Sequence, residues 1–179
     1  MGVGRGRASS SAPCGAARSP ARASPARRCC STAPARCTSL LADPARTGRP
    51  DVGAPGAFLH EPDGAVVQAG LVPEVAQRLG GRLLDPTIAY VTTDAPAGRD
   101  VRPFVHSYAV DDVLPFHVKT LRARLRDLGV GSLTIKKRGS TVDPDALRRR
   151  LRLAGDAHAT IALTRVAGRQ TVLLLRLLP

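Results

Sequence analysis

Aromatic residues are scarce in this chain, which has three phenylalanines, two tyrosines and no tryptophan among 179 residues. A domain with so few large rings needs them for packing, so base stacking on aromatics is a weak basis for function. Only Tyr90 and Phe116 are left as candidates to face solvent. Cysteine is absent after Cys37, and Cys14, Cys29, Cys30 and Cys37 offer one close pair, which is adjacent and has no histidine beside it. A zinc chelate needs ligands two to four residues apart, so no metal is expected, and the four read as free thiols of a reducing cytoplasm. His60, His106, His117 and His158 are scattered without the i, i+4 spacing of a helical metal pair. Long apolar runs are missing too: Val172–Leu178 is short and broken by Arg176, well under the ~18–20 residues that span a bilayer. The N-terminus has no apolar signal region. Its acid-free, Arg- and Ser-rich composition up to Asp43 is that of a transit peptide, but frequent Pro and Gly oppose the required amphipathic helix.

What is abundant is arginine, which supplies 24 of the 27 basic residues behind a net charge of +13. Such an excess favours a polyanionic partner, because cations release counterions condensed on nucleic-acid phosphates. The charge is unevenly spread. Residues 1–52 carry nine arginines against Asp43 and Asp51, a balance of +7, and the remaining 18 basic and 12 acidic residues give +6. All three lysines, Lys119, Lys136 and Lys137, lie in the second part.

The chain changes grammar near Gly53. Residues 1–52 show no periodicity and no aromatic residue, so they cannot bury enough apolar area to offset an ordering entropy of about 1–2 kcal/mol per residue, and disorder is expected. Residues 53–179 read as one α+β domain of about three helices and five to six strands. A strand at Phe58-Leu59-His60 meets the turn Glu61-Pro62-Asp63-Gly64. Val72, Val75, Ala76 and Leu79 give a helix stopped by Gly80-Gly81, with Pro73 either opening it or kinking a helix begun near Ala65. Leu83-Leu84 and Ile88 to Thr92 read as strands around Asp85-Pro86, and Phe104 to Val110 as another. Leu121, Leu125 and Leu128 stripe a second helix capped by Gly129. Ser132 to Lys136 alternates as a strand. Asp143-Pro144 then opens a third helix ending around Ala154-Gly155. Thr160 to Val166 and Gln170 to Leu175 form a C-terminal hairpin around Ala167-Gly168-Arg169.

The densest chemical signal is Lys136-Lys137-Arg138-Gly139, leaving a strand into a loop where side chains and backbone N–H groups can approach a phosphate. Arg148, Arg149, Arg150 and Arg152 follow on a helix whose Leu147 and Leu151 face inward, so a continuous basic face is expected, extended by Lys119, Arg122 and Arg126. About five phosphate contacts would lower affinity several hundredfold between about 50 and 200 mM salt. The same residues would be a solubilising face if Asp127, Asp143 and Asp145 neutralised them. No nucleophile–base pair or glycine-rich cofactor loop appears, and the acid pairs Asp111-Asp112 and Asp143/Asp145 read as helix caps. The chain is therefore expected to have no activity and to bind no cofactor.

Taken in order, Glu61-Pro62-Asp63-Gly64-Ala65-Val66, Leu84-Asp85-Pro86 with Ile88-Ala89-Tyr90, Leu114-Pro115-Phe116, Lys136-Lys137-Arg138-Gly139, and Asp143-Pro144 ahead of Leu147-Arg148-Arg149-Arg150-Leu151 resemble the THUMP-like domain. That domain is found at the C-terminus of class I S-adenosylmethionine-dependent methyltransferases of GC-rich bacteria. The resemblance covers about Pro55 to Leu175. It implies an RNA-binding accessory domain, with transfer or ribosomal RNA as partner; the charge pattern makes Lys136, Lys137, Arg138, Arg148, Arg149, Arg152, Lys119 and Arg122 the expected contacts. The alternative it leaves open is a stabilising domain that packs on a methyltransferase core without touching RNA, marked by an exposed apolar patch on the Leu173 to Leu178 hairpin. No strand followed by a glycine-rich cofactor loop and an acidic ribose partner occurs before Gly53, so the methyltransferase domain expected upstream is expected to be missing. A truncated or misread gene, or a methyltransferase on another chain, is the corresponding expectation.

Overall fold

A computed structural model describes residues 28–33, 36–42 and 48–178, with side chains from residue 39 onward. Among these residues an antiparallel hairpin, β1 (Arg28–Ala33) and β2 (Arg36–Leu41), precedes a seven-stranded mixed sheet with the order β4-β5-β3-β6-β9-β8-β7. The sheet strands are β3 (Phe58–Pro62), β4 (Arg82–Asp85), β5 (Ile88–Thr93), β6 (Val105–Pro115), β7 (Val130–Lys137), β8 (Ala157–Val166) and β9 (Arg169–Leu177). Four helices accompany them: α1 (Gly64–Gln68), α2 (Val72–Arg78), α3 (Val118–Asp127) and α4 (Pro144–Leu151). This is the expected α+β class with its C-terminal hairpin, and no described helix is long and apolar enough to cross a membrane.

Alternation along the strands builds the layers, because successive side chains point to opposite faces. On one face α2 covers β4 and β5 through Ala76 with Leu83 and Val91, and α1 and α2 pack through Val66, Leu71 and Val75 on Phe104 and on Val105 of β6. Beside them α3 and α4 cover β7, β8 and β9, where Leu121, Leu125, Leu147 and Leu151 pack on Ile161, Leu163, Val172 and Leu174. The opposite face carries no helix and closes on itself, with Leu59, Leu84, Ile88, Tyr90, Tyr108, Ala162, Leu173 and Leu175 forming one cluster from strands at both ends of the sheet. The edges meet because the sheet rolls. The Ala167 N–H donates to the Leu84 carbonyl at 2.9 Å, Gly168 N–H to Asp85 Oδ2 at 3.1 Å, and Arg165 Nη2 to Thr87 Oγ1 at 2.8 Å. Gly139, just past β7, has φ +75° and so little room that a Cβ there would overlap Ile88 Cδ1 of β5. The Thr87 hydroxyl holds the Asp85 carboxyl below the usual range against the opposing effect of burial, helped by the Thr87 and Gly168 N–H groups and Arg165.

Several boundaries and exposures differ from expectation. Residues 64–78 form two helices, since Gly70 at φ +68° breaks the chain and Pro73 sits in the first turn of α2. β6 runs on to Pro115 and carries Asp111-Asp112, so these are strand residues paired to Arg176 and Arg124 and not helix caps. α4 stops at Leu151 with Arg152 at φ +48°, earlier than Ala154. Tyr90 is buried, not surface-facing, because the rolled face encloses it. Toward the end of the segment expected to be disordered, Leu40 is fully buried beside Val66, Leu71 and Phe104. Its apolar partners come from downstream, which local composition does not register. Residues 1–27, 34–35, 43–47 and 179, with Cys14, lie outside the described residues, as do the side chains of Cys29, Cys30 and Cys37.

The β8–β9 hairpin closes with Ala167 and Gly168, both at positive φ, the pattern of a type I′ turn. An L-alanine there costs about 1 kcal/mol, so Ala167→Asn, which creates the preferred Asn-Gly pair, is expected to stabilise by about 0.5–1 kcal/mol in urea unfolding. On the α1/α2 side, buried His60 shares hydrogen bonds of 2.8 Å with Ser107 Oγ and Thr93 Oγ1, and burial pulls its pKa down to about 4. The folded state resists protonation that the unfolded chain accepts near pH 6.5. Stability is therefore expected to be level above that pH and to fall as pH drops toward 4, by on the order of 3 kcal/mol in all. His60→Gln, checked in the same titration, is expected to flatten this segment of the curve.

Candidate nucleic-acid interface

The basic run at the end of β7 does not present its side chains together. Leu133 and Ile135 pack toward α3 and α4, so strand alternation turns Lys136 to the rolled face and Lys137 back to the helical side. Lys136 Nζ donates to Glu61 Oε2 at 2.7 Å and lies 5.1 Å from the centre of the Tyr108 ring. Arg138 Nη2 donates to Glu61 Oε1 at 3.5 Å, with its guanidinium 5.4 Å from the Tyr90 ring centre. The three charged side chains are 28%, 31% and 17% exposed for Lys136, Arg138 and Glu61. Desolvation lowers the Lys136 pKa, but the Glu61 hydrogen bond and then Tyr108 outweigh it, leaving the ammonium held above the ordinary lysine range. Burial, with the Glu61 charge, pushes the Tyr90 phenol up to about 12 against Arg138 and Lys136, so it stays neutral at physiological pH.

The remaining expected contacts lie on the helical layer. α4 begins at Asp143, whose carboxylate accepts from the Asp145 N–H at 3.0 Å, with Pro144 in the first turn. Its buried Leu147 and Leu151 leave Arg148, Arg149 and Arg150 exposed. α3 buries Leu121 and Leu125 in the same cluster, which sets the two helices side by side and leaves Lys119 exposed. Arg122 of α3 donates through Nη2 to the Arg150 carbonyl, and Arg126 Nη2 to the Arg152 carbonyl at 3.4 Å. These cations meet the C-terminal carbonyls of α4, where the helix dipole is negative. Of the three carboxylates that would neutralise this layer, Asp145 alone does so among the described residues, 2.6 Å from Arg148 Nη1. Arg148 also donates through Nε to the Leu133 carbonyl at 3.2 Å, covering the open edge of β7. Lys119, Arg149, Arg150 and Arg152 have no carboxylate partner among the described residues.

The expected site thus divides into two. Lys119, Arg122, Arg148, Arg149 and Arg152 share the helical layer, joined by Arg150 and Arg126, while Lys136 and Arg138 point to the other side of the sheet. Lys137 is exposed on the helical side, beyond Ile135. The division was signalled by the Leu133–Ile135 alternation; the role of Glu61, 75 residues away, had no local signal. Among the described residues no group of three or more His, Cys, Asp or Glu side chains could hold a metal.

Residues 105–177 match the family model for the THUMP domain-like family. Two Mycobacterium tuberculosis proteins, from strains CDC 1551 / Oshkosh and H37Rv, are each 41% identical over 111 residues, covering 62% of this chain and 30% of theirs. Both are described as uncharacterized S-adenosylmethionine-dependent methyltransferases. A solved structure of a provisionally assigned methyltransferase from Porphyromonas gingivalis W83 superposes with a TM-score of 0.64 at 24% identity, covering 83% of this chain and 37% of that one, and shares the fold. The chain therefore spans about a third of the length of these relatives.

The two halves of the basic run are expected to respond differently to truncation. Lys136→Ala strips Glu61 of its short hydrogen bond and should lower stability by about 1–3 kcal/mol, whereas Lys137→Ala should stay within about 0.5 kcal/mol of the parent in urea unfolding.

Proposed function

We propose that this chain, which carries a THUMP-like domain over residues 105–177 and is related to S-adenosylmethionine-dependent methyltransferases, is an RNA-binding accessory module of such an enzyme. Its substrate-facing surface is the helical layer of α3 and α4. The observation that carries the reading is the row of exposed cations left without carboxylates, Lys119 on α3 and Arg149, Arg150 and Arg152 on α4, beside Arg122 and Arg126. A flat cationic layer of this kind meets phosphates irrespective of base, so it would hold a structured RNA while a methyltransferase domain selects the base. The module itself supplies position, not chemistry: none of its helical-layer residues forms a nucleophile–base pair. Lys136 and Arg138, already occupied by Glu61, contribute less here than Lys137 does.

A second reading is favoured by a surface trough of about 610 Å³ at the start of β8 and the end of β9, bordered by Leu128 (40% exposed) and Leu177 (66% exposed), with Asp111, Arg124 and Arg176 as its charged lining. Such a lining suits a protein surface better than RNA. One filter-binding titration against transfer and ribosomal RNA at two ionic strengths separates the readings. Arg149→Ala/Arg150→Ala/Arg152→Ala is expected to weaken binding roughly tenfold or more near 100 mM salt and to lower the salt slope by about two to three. Unchanged affinity and slope would leave the protein-docking reading.

A further inference from the structure

The Glu61 carboxylate is placed as a phosphate would be. Each of its two oxygens meets a different cation, Lys136 at 2.7 Å and Arg138 at 3.5 Å, as two non-bridging oxygens of a phosphodiester do. Two positive charges face one negative charge, so the cluster retains a net +1 in a half-buried position, and among the described residues no other carboxylate forms an ion pair with either cation. The second contact is long, which leaves the guanidinium fork of Arg138 with donors to spare. The Tyr108 and Tyr90 rings lie 5.1 and 5.4 Å from the Lys136 and Arg138 charges and give each cation a contact besides the carboxylate. Lys136 and Arg138 project to the rolled face, away from the helical layer, so this is a separate site.

We propose that Lys136 and Arg138 form an anion site for an RNA phosphodiester, and that Glu61 is an internal competitor that occupies the site until RNA displaces it. The proposal rests on the RNA-binding reading above and adds a second, gated contact on the other side of the sheet. Displacement exchanges one anion for another and requires no covalent step. A carboxylate tethered on β3 is present at high effective concentration, so only a polyanion already held elsewhere on the domain would compete with it. The gate would therefore select RNA long enough to reach both faces of the domain over short oligonucleotides and free phosphate.

The test is a salt-controlled titration of the full chain with a labelled structured RNA. Glu61→Gln is expected to bind about three- to tenfold more tightly than the parent, the scale of one released phosphate contact. The gain should vanish in Glu61→Gln/Lys136→Ala/Arg138→Ala and be absent in Asp156→Asn, which removes one exposed carboxylate elsewhere. No gain in a Glu61→Gln protein that melts cooperatively, an equal gain in Asp156→Asn, a gain that survives in the triple variant, or a gain for inorganic phosphate alone would each overturn the proposal. If Glu61→Gln does not fold, Glu61→Asp, which keeps the charge but retracts it by one methylene, carries the same expectation. Loss of binding in the helical-layer variant with no gain in Glu61→Gln rejects this inference alone; a gain in Glu61→Gln with no loss in the helical-layer variant rejects the helical layer as the surface that holds the RNA first and overturns the two-face gate with it.

Discussion

The rolled sheet depends on the apolar cluster that joins strands far apart in its order, Leu59, Leu84, Ile88 and Tyr90 with Ala162, Leu173 and Leu175, and the bridge from Glu61 on β3 to Lys136 and Arg138 at the end of β7 lies beside it. Partly desolvated charges are tolerated only when each has a partner, and here the partners lie across an apolar interior that includes Leu59, Tyr90, Tyr108 and Leu173. With the roll in place, the β4–β5 turn meets the β8–β9 turn through Asp85, Thr87, Arg165 and Gly168. The roll also leaves the other face of the sheet to the helices, and so decides where exposed charge accumulates.

That division explains how one basic sequence serves two purposes. Strand alternation spends Lys136 on the interior bridge and returns Lys137 to the helical side, one residue later. The arginines of α3 and α4 are likewise of two kinds. Arg122 and Arg126 answer the carbonyls at the end of α4, Arg148 answers Asp145 and the edge of β7, and Arg149, Arg150 and Arg152 answer nothing within the described domain. Total charge therefore overstates the surface open to a polyanion, and unpaired charge measures it better.

Likeness to longer methyltransferases fits a module of this design. The matched segment carries α3, α4 and strands β6 to β9, which are the elements that build the helical layer and half of the rolled face. Glu61 lies on β3, outside that segment, so the bridge ties the family-matched part to the strands that precede it.

Because caps, turns and periodicity act within a few residues, local chemistry read along the chain was enough for the α+β class, the hairpin, the Asp143-Pro144 start of α4 and the Leu121 and Leu125 part of the α3 stripe, though not for Leu128, which is exposed past the end of the helix. It was also enough to mark Lys136 to Arg138 and Arg148 to Arg152 as the densest positive charge. Which of those cations remain open was decided by tertiary structure alone. Pairing with Glu61 joins residues 75 apart, and burial of Tyr90 or Leu40 depends on surfaces supplied by distant segments. Composition and periodicity carry no information at that range: they fix which way a side chain points from its own strand or helix, while the roll of the sheet fixes what it meets there.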